Sequence, residues 1–151
     1  MESFAVPTRV SVREVGPRDG FQNEPERIPT EDKIRLIDLL ARTGLRRLEV
    51  ASFVRADVIP QLSDAVEVLH GIDTPDDVAL TVLAPNERGL EAALEHRERF
   101  HEVAVFLSAS EGHNQRNVNR PVAESLRALE RMVPAVRDAG LRCGAVIATA
   151  F

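Results

Sequence analysis

The stretch "RVSVREVGPRDGFQNEP", Arg9 to Pro25, decides how this chain is read. Its opening, Arg9–Val15, is a run rich in β-branched residues and predicts a strand. The remainder, Val15–Pro25, is a short connection that crowds an Arg, an Asp and a Gln-Asn-Glu triplet around Gly16 and Gly20. A solvated turn needs only one Asp or Asn beside a Gly. The surplus of charge and amide marks a loop built to hold something polar.

Working outward, the chain alternates. Thr30–Gly44 predicts a helix, with Thr30 as cap, Glu31 and Asp32 at its positive end and Gly44 at its exit. Its apolar stripe is Ile34, Ile37, Leu40 and Ala41. Arg46–Ser52 predicts a second strand, and Ala56–Gly71 a second helix that forms best after Pro60. Asp77–Leu83 is a third strand and Pro85–His96 a third helix, interrupted by Gly89. His101–Ser108 is a fourth strand, followed by a Ser/Asn-rich connection over Ser108–Asn119. Val122–Gly140 is a long helix with Leu126, Leu129, Val133 and Val136 on one face and Pro134 inside it, and Leu141–Phe151 is a fifth strand.

Strand–helix repeats with short connections imply right-handed crossovers and a parallel sheet. The strands are apolar on both faces, as parallel strands covered by helices must be. Neither a Gly-x-Gly-x-x-Gly fingerprint nor a Walker loop is present. The expected fold is therefore α/β, an incomplete (β/α)8 barrel of about four β/α units plus a fifth strand. Residues 1–151 are expected to be the amino-terminal portion of that one domain, with no second domain. In such a barrel the loops after the strands form the functional face, and Val15–Pro25 is one of them.

Composition bounds the partners. With 151 residues, 44% hydrophobic and 28% charged, the chain has ordinary globular character. Lys+Arg number 19 against 24 Asp+Glu, a net charge of -5, which disfavours nucleic acid or an anionic membrane as partner. The single cysteine, Cys143, suits a reducing compartment. "MESFAVPTRV" shows no evident targeting signal, so a cytoplasmic location is expected.

Two residues in the loop carry chemistry. Asp19 is a hard oxygen ligand suited to Mg²⁺ or Mn²⁺. Arg18 is a fixed cation able to stabilise an oxyanion or enolate. Surface ion pairing is the ordinary alternative for both. Glu49 lies mid-strand and, because side chains alternate, shares a face with Arg47 and Ala51. A lone carboxylate there must be paired, and Arg18, Arg47 and Arg13 are the candidate partners.

"VGPRDGFQNE", with "KIRLIDLLARTGLRRLEVASFV", "IPQLSDAVEVL", "TVLAPNERGLEAAL", "VAVFLSASEGHNQRNVNR" and "VIATAF", resembles the amino-terminal half of the 3-hydroxy-3-methylglutaryl-CoA lyase family. That family belongs to the metal-dependent barrel lyases and synthases with a pyruvate carboxyltransferase-type domain. The resemblance implies retro-aldol cleavage of an acyl-CoA, 3-hydroxy-3-methylglutaryl-CoA, to acetyl-CoA and acetoacetate, a step of leucine catabolism and ketone-body formation. It implies a divalent cation, a homo-oligomer in the complete protein, Asp19 as metal ligand, Arg18 as the catalytic cation that steadies the enolate, and Glu49 as a catalytic supporting carboxylate. Gln22, Asn23, Ser52 and Asn117 match polar positions expected to meet the substrate, although Asn117 equally suits a solvated connection.

The family's later His-x-His pair and its cysteine on a glycine-rich loop have no counterpart here. His70, His96, His101 and His113 are scattered along the sequence, and Cys143 reads as a small core residue. A truncated chain, inactive alone, is the expectation. A related enzyme that condenses acyl-CoA with a 2-oxo acid or moves a carboxyl group, and a non-catalytic half-barrel interaction module, are the competing readings.

Overall fold

The computed structural model of the chain describes residues 7–151, so most of the segment inspected for a targeting signal lies outside them. Four strands, β1 Arg47–Ser52, β2 Ala79–Ala84, β3 Glu102–Ser108 and β4 Arg142–Ala148, form one parallel sheet in the order β1-β2-β3-β4. The helices are α1 Thr30–Ala41, α2 Ala65–Gly71, α3 Glu87–Leu94, α4 Glu111–Val118 and α5 Val122–Asp138. Consecutive strands are neighbours and always parallel, so each connection crosses over through helical structure. This is part of a (β/α)8 barrel. Among the described residues, no helix is long and apolar enough to cross a membrane.

The core lies between sheet and helices. Ile37 of α1, Leu48, Leu80, Val82 and Val103 of the strands, and Met132 and Val136 of α5 are all buried there. Each fully buried aliphatic side chain contributes roughly 1.5–3 kcal/mol. The buried face of α5 overlaps the expected one only in part, at Val136. Ser125, Ala128, Met132 and Val136 point inward, whereas Leu126 is 47% exposed and Leu129 and Val133 are only partly covered. Two of the inward residues, Ser125 and Ala128, are small, and a hydrophobicity pattern gives them little weight.

Three further expectations need correction. Arg9–Val15 does not form a strand. Only Glu14 pairs, its N–H donating to Arg47 O at 3.0 Å and its carbonyl accepting from Glu49 N–H at 2.8 Å. Val10 and Val12, 82% and 62% exposed, find no face to bury them, and β-branching without burial does not hold a ladder. The predicted second helix divides into a short turn, Pro60–Leu62, and α2. The Ser108–Asn119 connection contains α4, capped by Ser110 Oγ accepting from His113 N–H and closed by Asn119 at φ 53°. Asn114 organises that segment from a fully buried position. Its Oδ1 accepts from Ser108 N–H at 3.0 Å, and its Nδ2 donates to Arg120 O and Ser125 Oγ at 2.8 Å each.

Thr30 opens α1 without capping it, since Pro29 holds the cap position. Its hydroxyl instead donates to Asp64 Oδ2 at 2.8 Å. Lys33, also on α1 and only 2% exposed, reaches the same carboxylate at 2.8 Å and the Gln61 carbonyl at 2.5 Å. Gln61 in turn accepts from Ile28 N–H at 3.0 Å. This buried polar clamp fastens the segment after the candidate loop to the start of α2. Removing one partner strands the other's charge. Lys33→Met is therefore expected to lower folding stability by about 3–5 kcal/mol, read by urea unfolding of the chain. A loss no larger than that of an exposed substitution would overturn the clamp.

Candidate functional site

The polar loop begins with a tight π-helical turn over Gly16–Gly20. Gly16 lets the Glu14 carboxylate come close, and a side chain there would push that flexible carboxylate aside. The Gly16 N–H donates to Glu14 Oε1 at 2.6 Å. Val15 O accepts from both Arg18 N–H at 3.0 Å and Asp19 N–H at 2.7 Å, which sets both side chains on a constrained backbone.

Arg18 turns inward and Asp19 outward. Arg18 Nε donates to Glu49 Oε1 at 2.5 Å and Nη1 to Asp19 Oδ1 at 2.7 Å. Glu49 is 2% exposed and sits on β1, while the Asp19 side chain is 53% exposed. Arg18 thus links a buried carboxylate to an accessible one. Of the three candidate partners for Glu49, Arg18 makes the close contact, Arg13 Nη1 lies 3.8 Å from Oε2, and Arg47 goes elsewhere.

Arg47 Nη2 donates to Glu102 Oε2 at 2.8 Å, and Arg13 also bonds Glu102, which is 3% exposed. Glu49 pairs across the sheet with Thr81, and Thr81 with Glu102. The result is a polar layer of Glu49, Thr81 and Glu102, served by Arg18, Arg13 and Arg47. Gly144 on β4 leaves room for it, because a side chain there would meet the Glu102 carboxylate. Glu102 was missed in the sequence, and Arg13, named there as a candidate partner of Glu49, makes its close bond to Glu102 instead. The alternation of "HEVAVF" offered the signal for Glu102, a carboxylate inside an apolar strand. Thr81 Oγ1 and Arg47 Nε are buried in this layer without a hydrogen-bond partner among the described residues.

Strict alternation fails on β1. The register jumps between Glu49, opposite Thr81, and Ala51, opposite Val82. Ala51 therefore leaves the Glu49 face, and Ser52, opposite Leu83, returns to it. Ser52 is buried at the carboxyl end of β1. The other predicted contacts are dispersed. Asn23 Nδ2 donates to Asp19 O at 2.7 Å and so closes the turn. Gln22 is half-buried next to it, and Asn117 is exposed on α4.

The fit to a divalent cation can be judged from Asp19. One carboxylate oxygen is taken by Arg18 and the side chain faces solvent, so an oxygen remains open to a hard cation. Mg²⁺-type ions are commonly held by one or two carboxylates with waters and substrate oxygens. Among the described residues, the cluster of side chains that could by itself hold a metal lies elsewhere, at His70, His96 and Glu98. The histidines taken as scattered therefore include a converging pair. Cys143 on β4 is half-buried, and burial pushes its thiol pKa up, so it stays protonated as a core residue.

Against that geometry, the comparisons are specific. The HMGL-like family matches residues 9–150. The chain belongs to that family. Hydroxymethylglutaryl-CoA lyase YngG of Bacillus subtilis is 48% identical over 145 residues, which is 96% of this chain and 48% of the relative. The cytoplasmic 3-hydroxy-3-methylglutaryl-CoA lyase of Danio rerio is 46% identical, over 90% of this chain and 40% of the relative. The crystal structure of the Bacillus subtilis HMG-CoA lyase superposes with a TM-score of 0.91 at 48% identity, covering 96% of this chain and 48% of that one. An Acinetobacter baumannii HMG-CoA lyase in complex with coenzyme A and 3-methylmalate superposes with a TM-score of 0.87 at 37% identity, over 93% and 45%. The chain spans about half the length of the HMGL-like relatives it matches.

Burial separates the two acids of the site. Glu49→Gln is expected to reduce folding stability by about 3 kcal/mol or more, because it removes the buried counter-charge of Arg18. Asp19→Asn, at an exposed pair, is expected to change it by less than about 1 kcal/mol. Urea denaturation of both variants checks this. Equal losses would contradict the division into a buried anchor and an open carboxylate.

Proposed function

We propose that this HMGL-like chain carries the first-loop half of a metal-dependent lyase site that cleaves 3-hydroxy-3-methylglutaryl-CoA. The observation that supports it most is the Arg18 guanidinium, held at 2.5 Å by buried Glu49 and lying beside the open carboxylate of Asp19. In the reaction a base takes the proton of the substrate's tertiary hydroxyl. The oxygen's electron pair becomes a carbonyl as the adjacent C–C bond breaks. The bond electrons leave as the enolate of acetyl-CoA, which takes up a proton, and acetoacetate is the other product. Arg18 suits the enolate oxygen, since its guanidinium is preorganised and a fixed dipole or charge costs no reorganisation when the charge develops. Glu49 positions Arg18. Asp19 would hold the divalent cation, which when bound supplies a Lewis acid toward the substrate's hydroxyl and carboxylate oxygens.

The acyl-CoA would enter beside Ser52. An open groove of about 1190 Å³ runs from Ser52 and Phe53 to the start of α3, with Arg55, Arg88 and Arg120 on its walls. Arg55 is paired with Asp57 at 2.9 Å, whereas Arg88 and Arg120 make no ion pair among the described residues and suit the phosphates of coenzyme A. Of the predicted substrate contacts, Ser52 lines this groove, while the Asn23 amide is engaged in the turn. Residues 1–151 act as the amino-terminal part of one barrel domain, in line with the half coverage of the relatives. We place the protein in the cytoplasm, a reading supported by the name of the Danio rerio relative and by the lone cysteine, while the Gallus gallus relative is named mitochondrial.

The test joins residues 1–151 to the second half of the Bacillus subtilis relative. The hybrid is expected to release acetoacetate from 3-hydroxy-3-methylglutaryl-CoA when Mg²⁺ or Mn²⁺ is added, and the 151-residue chain alone is expected to release none. In the hybrid, Arg18→Gln should lower kcat by roughly 10²–10³-fold or more with Mn²⁺ affinity largely kept, since the lost interaction belongs to the transition state. A variant turning over near the parent rate would remove Arg18 from the reaction.

A further inference from the structure

Away from the Arg18 loop, two histidines and a glutamate converge where two helices end. His70 lies in the last turn of α2 and His96 follows α3, with Glu98 in the single turn Arg97–Arg99 that comes next. His70 Nε2 and His96 Nδ1 are 3.1 Å apart, and one ligand atom from each of the three side chains lies within 4.8 Å of the others. A helix carboxyl end favours a histidine without any ligand, so each residue alone means nothing. Their juxtaposition, across 26 residues of sequence and two helices, is a different matter.

We propose that His70, His96 and Glu98 form a binding site for a borderline transition-metal cation of the Zn²⁺ type. The donor set is two imidazole nitrogens and one carboxylate oxygen, which suits Zn²⁺ and its neighbours and is poorly matched to Mg²⁺ or Ca²⁺. In a tetrahedral zinc centre with bonds of 2.0–2.1 Å, two nitrogens stand roughly 3.4 Å apart. The 3.1 Å separation is near that edge, and completing the site requires the two rings to turn their lone pairs toward the ion and the Glu98 carboxylate, within 4.8 Å, to close on it. Without metal, one ring donates its proton to the other. Moving that proton to the donor ring's second nitrogen leaves two lone pairs facing each other, and a cation between them resolves the repulsion. Glu98 makes a third ligand and water the fourth, as in open three-ligand sites.

The scaffold is preorganised. Arg99 bonds the carbonyls at the end of α2, donating to Leu69 O at 3.1 Å and to His70 O and Ile72 O at 3.4 Å. That ties the turn bearing Glu98 to the helix bearing His70. Phe53 stacks on the His96 ring, with centroids 6.5 Å apart at 21°, and holds its plane. His70 and Glu98 are exposed and His96 half-buried, so an ion reaches the site from solvent.

Titration of the chain with ZnCl₂ by calorimetry, in excess Mg²⁺, tests the site, with CoCl₂ as spectroscopic probe. One Zn²⁺ per chain is expected to bind unperturbed by Mg²⁺, and Co²⁺ should show the intense visible bands of a four-coordinate centre. His70→Ala, an exposed change that leaves the fold intact by circular dichroism, should abolish the bands and weaken Zn²⁺ by roughly tenfold or more. His96→Ala should do the same, and Glu98→Gln should weaken binding less. Asp19→Asn should leave it unchanged, which keeps the result separate from the proposed lyase site. Absence of saturable Zn²⁺ binding, equal affinity in His70→Ala, or loss of binding in Asp19→Asn would each overturn the assignment.

Discussion

A carboxylate inside a sheet is the constraint on which this structure turns. Glu49, almost fully buried on β1, cannot stay charged without close cations. Arg18 and Arg13 provide them, and both come from the segment that precedes the first helix. The requirement to neutralise Glu49 therefore pins a segment that the backbone holds by a single bridge at Glu14. It also fixes the direction of Arg18, and through Arg18 that of Asp19. Electrostatics, more than strand pairing, places the candidate catalytic loop.

The same logic extends along the polar layer. Glu102 repeats the role of Glu49 two strands away, on β3, with Arg13 shared between them and Arg47 bonding Glu102. Removing any one of these charges leaves another buried and unpaired, so the layer is held as a unit. Such an arrangement gives little net stability over an apolar layer. It is a plausible use of buried charge where rigid orientation of one cation matters, and Arg18 is the member whose second contact reaches solvent-facing Asp19. Gly144 completes the picture by giving up a side chain where the Glu102 carboxylate sits.

Helices and loops answer to other forces. The Lys33–Asp64 clamp joins α1 to α2 in the outer layer, and Asn114 orders α4 from within. These buried polar residues hold segments that lack long apolar stripes of their own. The ends of α2 and α3, by contrast, carry side chains that no core demand explains, and there the His70, His96 and Glu98 group stands ready for chemistry of its own.

Much was legible in the residues alone. The order of strands and helices, the parallel sheet, the polar loop after the first extended segment and the need of Glu49 for a cation all follow from patterns that local chemistry imposes, whereas the choice of Arg18 over Arg13 and Arg47 came from the fold. An apolar run flanked by a Gly has few other uses, and a mid-strand glutamate must find a cation. Other features were decided only in three dimensions. Arg9–Val15 has strand composition but no burial for Val10 and Val12, so it pairs at one residue. The register jump on β1 moves Ser52 to the side of Glu49, because a bulge depends on two strands at once. The inward face of α5 includes Ser125 and Ala128, which packing buries although the helical period of larger apolar residues does not point to them. His70 and His96 meet although 26 positions separate them. Composition and period report what one segment prefers, whereas burial, register and convergence belong to pairs of segments, and only packing chooses the pairs.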